Sequence, residues 1–426
     1  MEGNRIFGRR IVEVVDSTCG SQRGKTLKNS FVILCVLALS AAFISVSLWS
    51  GKTGDANGSG PEQPLFANAP GSPFAVAGDP GNVVIGDMNK DGKPDLIVTG
   101  GRSRSISVLL GQGDGRFRVA RDNALTASES PGDMALGDIN SDANLDLAFV
   151  THDSYGVTVL LGDGKGGLVF AKNSPILMKD GHHPHTHGLG VGDLNGDGKL
   201  DLATVNNADN DISIAFGDGH GNFTRAPSPF AVGPSPYPLA LGDVNNDGQP
   251  DIVATASATG PQRAQQLRFS RALTLLLNEG RGGFRSSQLP VRTGQPWFVA
   301  IGDVNGDRKA DLVATHHDQN ELTALIGDGK GGFTEASTSP FNFGHSVFSI
   351  AIADTNRDGK PDVVGASGDG VRVMLGDGRG GFKPAPNSPF LTGRDTWSFA
   401  VGDVNKDGKT DVVAAGGGMV SVLLGH

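Results

Sequence analysis

One nine-residue pattern, D-x-N-x-D-G-x-x-D, recurs seven times along this chain, and that repetition limits the fold more than any other feature. It is written plainly in "GDVNGDRKADLVAT" at 302–315, and its copies begin at Asp87, Asp138, Asp193, Asp243, Asp303, Asp354 and Asp403. Successive copies are 51, 55, 50, 60, 51 and 49 residues apart. Self-similarity at about this period marks an array of like units, and overrides the division into independent domains that a length of 426 residues would suggest.

Each unit reads as four short strands. In the sixth they are "VFSIAIAD", "PDVVGAS", "VRVMLGDG" and "GFKPAP", separated by Gly, Asp and Pro turn chemistry. The runs are too short and too β-branched for helical spacing, and 64 glycines suit tight turns better than helices. Four strands in about fifty residues predict a propeller blade. The ends of the array are complementary. The last unit stops at "SVLLGH" without the terminal "SPF" segment of its predecessors, while "FANAPGSPF" at 66–74 supplies one. Phe74 precedes Asp87 by the interval that separates Phe341 from Asp354 and Phe390 from Asp403. The sequence therefore predicts an all-β, seven-bladed propeller over 65–426 whose N-terminal strand closes the last blade, leaving no open edge.

The acidic pattern is rich in oxygen donors. The side chains are Asp87, Asn89, Asp91 and Asp95 in the first blade, and Asp138, Asn140, Asp142 and Asp146 in the second. The third has Asp193, Asn195, Asp197 and Asp201, the fourth Asp243, Asn245, Asp247 and Asp251, and the fifth Asp303, Asn305, Asp307 and Asp311. Asp354, Asn356, Asp358 and Asp362 follow in the sixth, and Asp403, Asn405, Asp407 and Asp411 in the seventh. Three carboxylates in one tight turn repel one another without a cation, and Ca²⁺ takes six to eight oxygen ligands. The reading is up to seven calcium loops, weaker in blades 2 and 5, where Ala143 and Arg308 replace the sixth-position glycine. An EF-hand is excluded, because position twelve carries no Glu and the flanks are strands. The loops hold nearly half of the 45 acidic residues, and the net charge of −9 argues against nucleic acid as a partner.

These loops, with "GDLNGDGKLDLATV" and the "LLGDGKGGL" turns, resemble the FG-GAP/VCBS repeats of the integrin α-subunit head. The resemblance covers 65–426 and implies a seven-bladed propeller with calcium between the first and second strands. The family's scaffold serves adhesion proteins, sugar-binding lectins and parts of enzymes, so fold alone does not settle function. "GDGKGG" at 162–167 matches a dinucleotide fingerprint, but no helix follows it, and it reads as a turn.

Ahead of the array, "FVILCVLALSAAFISVSLW" at 31–49 is long enough to cross a bilayer as a helix. The basic residues before it favour a cytoplasmic tail at 1–30, a transmembrane signal anchor at 31–50, a flexible linker at 51–64 and a propeller outside the membrane. Secretion after cleavage at a signal peptide is the alternative. Both cysteines, Cys19 and Cys35, precede the array, so the propeller has no disulfide.

An up-and-down blade places alternate connections at opposite ends. The acidic loops fall on one face; on the other fall His152, His182, His183, His185, His187, His316, His317 and His345. Six residues before the loop aspartate stand His187, Tyr237, Trp297, Phe348 and Trp397 in five blades, one per blade. With His316 and His317 they make a candidate ligand rim for a glycan or protein partner of a monomeric propeller. In "KDGHHPHTHG" at 179–188, His183, His185 and His187 form a candidate transition-metal set. The fourth blade carries a basic insertion with Arg263, Arg268 and Arg271. The function read from these features is membrane-anchored, calcium-binding recognition or adhesion, with no catalytic residue assigned. The alternative is an enzyme, a polysaccharide lyase or metal-dependent oxidoreductase, using the histidines of that face.

Overall fold

A computed structural model describes residues 64–426 apart from 121–124, 183, 228, 257–270, 317–318 and 394, together with the two-residue strand Val36–Leu37. The stretch expected to anchor the chain otherwise lies outside the described residues, as do 1–30 and most of the linker. Within the stretch expected to cross a membrane as a helix, Val36–Leu37 is instead a strand, paired antiparallel with Leu239–Gly242. Among the described residues no helix is long and apolar enough to cross a membrane.

Seven antiparallel sheets run from an inner to an outer strand, in chain order except in the seventh, whose outer strand comes from the N-terminal side of the array; in the fourth, Val36–Leu37 adds to the inner edge. The inner strands are Pro80–Gly86, Pro131–Gly137, Thr186–Gly192, Leu239–Gly242, Pro296–Gly302, Ser349–Ala353 and Thr396–Gly402. Each packs beside the next, and the seventh packs beside the first. They are buried almost throughout because blades stack face to face, which explains apolar runs where a half-exposed strand would alternate. The hydrophobic core accordingly lies between blades. Val83, Ile85 and Val98 of blade 1, for example, pack with Ala400, Val413 and Val422 of blade 7.

The outer strand is usually broken in two. In blade 5, Phe333–Glu335 and Phe341–Asn342 pair with opposite ends of Glu321–Gly327. Between them Ser339 of the "SPF" segment accepts the Ala324 N–H at 3.0 Å, standing in for the missing backbone partner. Ser72, Ser174 and Ser388 do the same for Val422, Val159 and Val373. The phenylalanine of the segment meets the outer strand of the next blade edge-on, as Phe74 does Phe117 and Phe341 does Phe382. The fourth blade departs from this, with Gly283–Pro290 continuous along Ala272–Gly280.

Closure combines the two ends of the described array. Phe66–Asn68 pairs with Leu423 to Gly425, and Phe74–Ala75 with Met419 and Val420. Phe66 also meets Phe390 of blade 6 at 5.1 Å.

A shared tie holds each acidic loop to its blade. The ninth-position aspartates, Asp95 to Asp411, begin the second strands and are fully buried. One carboxylate oxygen accepts the N–H of the loop's second residue, and the other that of the residue ending the third strand (in blade 4, Asn278 within it), at 2.8–2.9 Å in every blade. The strand-ending residue is glycine in six blades, since a Cβ on Gly111 would lie 2.0 Å from the Pro94 carbonyl. In blade 4 Asn278 takes this place and donates from Nδ2 to Pro250 O. The "GDGKGG" turn ends in strand Leu168–Phe170, its Asp163 accepting the N–H groups of Lys165 and Gly167.

Candidate functional site

The acidic loops share one conformation. The first aspartate accepts the N–H of the sixth residue, the asparagine that of the fifth, and the fifth-position aspartate that of the seventh, as Asp87, Asn89 and Asp91 do in blade 1 at 2.8–2.9 Å. Every loop repeats these three bonds. Residues four and six have positive φ in all seven. At position six this places Ala143 at 67° and Arg308 at 65° where the others have glycine.

The side-chain donors held by these bonds are all oxygen, the chemistry a hard cation takes. A carboxylate with one amide partner per oxygen keeps lone pairs free. Burial pushes the ninth-position aspartates up, to about 6 for Asp95, Asp146, Asp311 and Asp362 and about 7 for Asp201, Asp251 and Asp411, against their backbone hydrogen bonds. The loop's other carboxylates add to the rise. In five loops a lysine at position seven reaches the fifth-position aspartate, between 3.1 Å for Lys309 and 4.0 Å for Lys93. These exposed pairs are worth little and do not neutralise the buried group.

On the opposite face the five residues of the candidate rim form a connected arc. His187 lies 3.9 Å from Tyr237, Tyr237 5.9 Å from Trp297, Trp297 6.1 Å from Phe348 and Phe348 4.2 Å from Trp397, ring centroid to centroid. In five blades the ladder of the inner strand shifts register at this level, in blades 3, 5 and 7 between His187 and Leu189, Pro296 and Val299, and Thr396 and Ser398, and likewise at Gly81 and Gly132 of blades 1 and 2. Such a bulge re-aims a side chain, here beside the neighbouring blade's ring. Blades 1 and 2 carry Gly81 and Gly132 at the same level, so the arc is open there. Exposure grades along it: His187 is buried, Tyr237, Trp297 and Phe348 are half-buried, and Trp397 is 49% exposed.

Two other histidines expected at the rim fall differently. His316 is buried, its Nε2 2.7 Å from the Thr323 hydroxyl, because it closes the second strand of blade 5 rather than the connection after it. His317 lies outside the described residues.

The histidine-rich loop is also rearranged relative to expectation. His183 lies outside the described residues, whereas His185 and His187 are joined by His152, which follows the second strand of blade 2. Among the described residues these three bring ring nitrogens within 4.8 Å of one another; no three loop aspartates converge so closely. His152 Nδ1 is 2.8 Å from Asp153, which holds that carboxyl below its ordinary value. Burial, then the neighbouring imidazoles, lowers His187 to about 3 and keeps it neutral. Nearby, Asp133 is buried, accepts the Gly188 N–H at 2.8 Å, and is pushed up to about 8 by burial. The sequence places His152 on this face but does not join it to the metal set, and Asp133 carries no signal there. The available signal was topological: the connection after one blade's second strand meets the next blade's inner strand.

Among solved structures, an Agrocybe aegerita lectin that recognises non-reducing terminal N-acetylglucosamine is similar, at TM-score 0.51 and 19% identity over 74% of this chain and 79% of that one. BBS1N, solved in complex with ARL6DN, is similar at TM-score 0.55 and 11% identity, over 85% and 97% of the two chains. These likenesses are of fold. A T-cell immunomodulatory protein homolog of Plasmodium yoelii yoelii is 34% identical over 146 residues, 30% of this chain and only 19% of that protein. A model of the FG-GAP-like repeat matches residues 87–149, 193–254, 303–365 and 354–414, more than half of the chain, and each match begins at a loop aspartate. With seven blades built on those same loops, the chain belongs to the FG-GAP-like repeat family.

Proposed function

We propose that this propeller is a recognition module that binds a glycan or protein partner at the mouth of its channel opposite the acidic loops. The arc from His187 to Trp397 carries the reading. Channel plugging alone does not call for a half-exposed tryptophan, and amphipathic rings beside polar connections suit both sugar stacking and protein hot spots. The Agrocybe aegerita lectin puts a related fold to glycan recognition, and the Plasmodium relative is named for an immunomodulatory role; both fit a binding module.

Calcium belongs to the same proposal as a structural ion. The side chains of positions one, three, five and nine would hold it, and it would neutralise carboxylates that burial and mutual repulsion now disfavour. The scaffold would thereby be stiffened beneath the rim, as sites on rigid elements require.

A glycan array probed with the wild-type chain and with Trp397→Ala tests the rim, with cell-surface protein capture as the second arm. The expected result is one class of ligand bound by the wild type and lost in the variant at unchanged melting. Ligand binding that survives Trp397→Ala and Tyr237→Ala together would sink the assignment of the arc.

A further inference from the structure

We propose that His152, His185 and His187 form a binding site for a late first-row divalent metal ion of the zinc or copper class, at the junction of the second and third blades. The site is separate from the acidic loops and lies at the other end of the propeller; it shares His187 with the rim, but rests on the geometry of the three rings rather than on what the rim binds.

The three rings face one another with centroids 4.2, 4.9 and 4.7 Å apart. Nε2 of His185 is 2.7 Å from Nε2 of His187. Tetrahedral bonds of about 2.0–2.1 Å place two nitrogens roughly 3.4 Å apart, so the pair has to open by less than about one ångström. Imidazole donors select zinc, copper or nickel over the calcium and magnesium that oxygen donors favour.

The surroundings are those of a built site. Asp153 accepts from Nδ1 of His152, which fixes the tautomer and leaves Nε2 as the nitrogen free to ligate; a carboxylate behind a ligating histidine is the usual second partner in such centres. The two chain segments are fastened to each other, Thr186 donating from its N–H to His152 O at 3.2 Å and from its hydroxyl to Ser154 O at 2.7 Å. Tyr237 backs His187, and Asp133 holds the adjacent Gly188 N–H. His187 is buried and His152 exposed, so an ion would keep an open position on the solvent side for water or an oxygen of a ligand.

The test uses the full chain, without a histidine tag and in calcium-containing buffer, titrated with Zn²⁺ by equilibrium dialysis and with Co²⁺ by visible absorption. The expected result is one equivalent bound, with tetrahedral cobalt bands. His152→Ala and His185→Gln should each weaken binding at least tenfold, and Asp153→Asn severalfold, while His220→Ala and His345→Ala leave it unchanged. His152→Ala and Asp153→Asn alter exposed side chains, so their melting curves should match the wild type. Failure to bind either ion, or binding that His152→Ala does not weaken, overturns the proposal. So does binding lost in a His182→Ala, His183→Ala double variant but retained in His152→Ala, which would mark a loose chelate of the loop alone.

Discussion

The carboxylate of Asp411 accepts the N–H of Val404 and the N–H of Gly425, both at 2.8 Å, from a fully buried position. It thus joins the acidic loop of blade 7 to the end of its third strand. Asp411→Ala leaves two buried amides without an acceptor, at about 1–3 kcal/mol each. Chemical denaturation in the presence of a chelator should show that loss, and Asp403→Ala, in the outer part of the loop, should cost clearly less there. Equal losses would mean that the buried tie is not what stabilises the turn.

Calcium should raise the melting temperature and a chelator should lower it. A ligand that binds only the folded state contributes roughly 1.4 kcal/mol per site at about ten times its Kd. Asp403→Ala should reduce the calcium-dependent increment more than Asp138→Ala, because the blade 2 loop already lacks its glycine. Ala143→Gly and Arg308→Gly relieve positive φ and should stabilise their loops by about 0.5–1 kcal/mol, with tighter calcium binding. A melting curve indifferent to calcium would remove the ion from the proposal.

Asp133 should make stability pH-dependent. Its folded value is raised to about 8, above an unfolded value near 3.8, so the folded state holds the extra proton between these limits. The contribution of this group is complete below about pH 4 and is lost as pH rises toward 8, at up to about 1.4 kcal/mol per unit. Asp133→Asn keeps an acceptor for Gly188 and should be increasingly more stable than the wild type from pH 5 to 8. Parallel stability curves for the two proteins would rule out a protonated Asp133.

The two tryptophans of the arc should separate stability from recognition. Trp397 is 49% exposed, and Trp397→Ala should move melting little while reducing partner binding by about 2 kcal/mol or more. Trp297 is half-buried against Phe298, with ring centroids 5.6 Å apart, so Trp297→Ala should also lower stability, toward the 3–5 kcal/mol typical of buried aromatics. Calorimetry of both variants, before any partner is known, already tests the grading.

Removing residues 64–75 should expose the third strand of blade 7 and the apolar surface under Phe66, with aggregation as the readout in light scattering. Removing residues 1–60 should leave a soluble propeller. Identical behaviour of the two truncations would contradict the closing role of Phe66–Asn68.

Much of this architecture was legible because it depends on spacing. Blade number, the closing strand and the arc at one residue per blade all follow from counting back or forward from a loop aspartate. What was not legible depends on which blades touch. His152 is distant from "KDGHHPHTHG" in the chain and reaches it only because neighbouring blades interlock. His316 reads as a loop residue from the sequence, but strand pairing with Glu321 extends the sheet to include it and buries its ring. The ninth-position aspartates read as ion ligands alone, whereas their two amide partners, one of them 14 to 27 residues further along, give them a structural task in every blade.

The strand that closes the ring bonds across nearly the whole array: Val422 donates to Ser72, 350 residues away, and Ala69 donates to Val422. During synthesis, six blades can therefore complete their own sheets as they emerge, while residues 66–75 wait unpaired until 419–425 are made. At typical rates of about 5–20 residues per second, that interval is on the order of tens of seconds, with an apolar strand open to other chains throughout. Assembly of this ring is thus timed by translation, and the exposed first strand is where a chaperone or a second nascent chain would intervene.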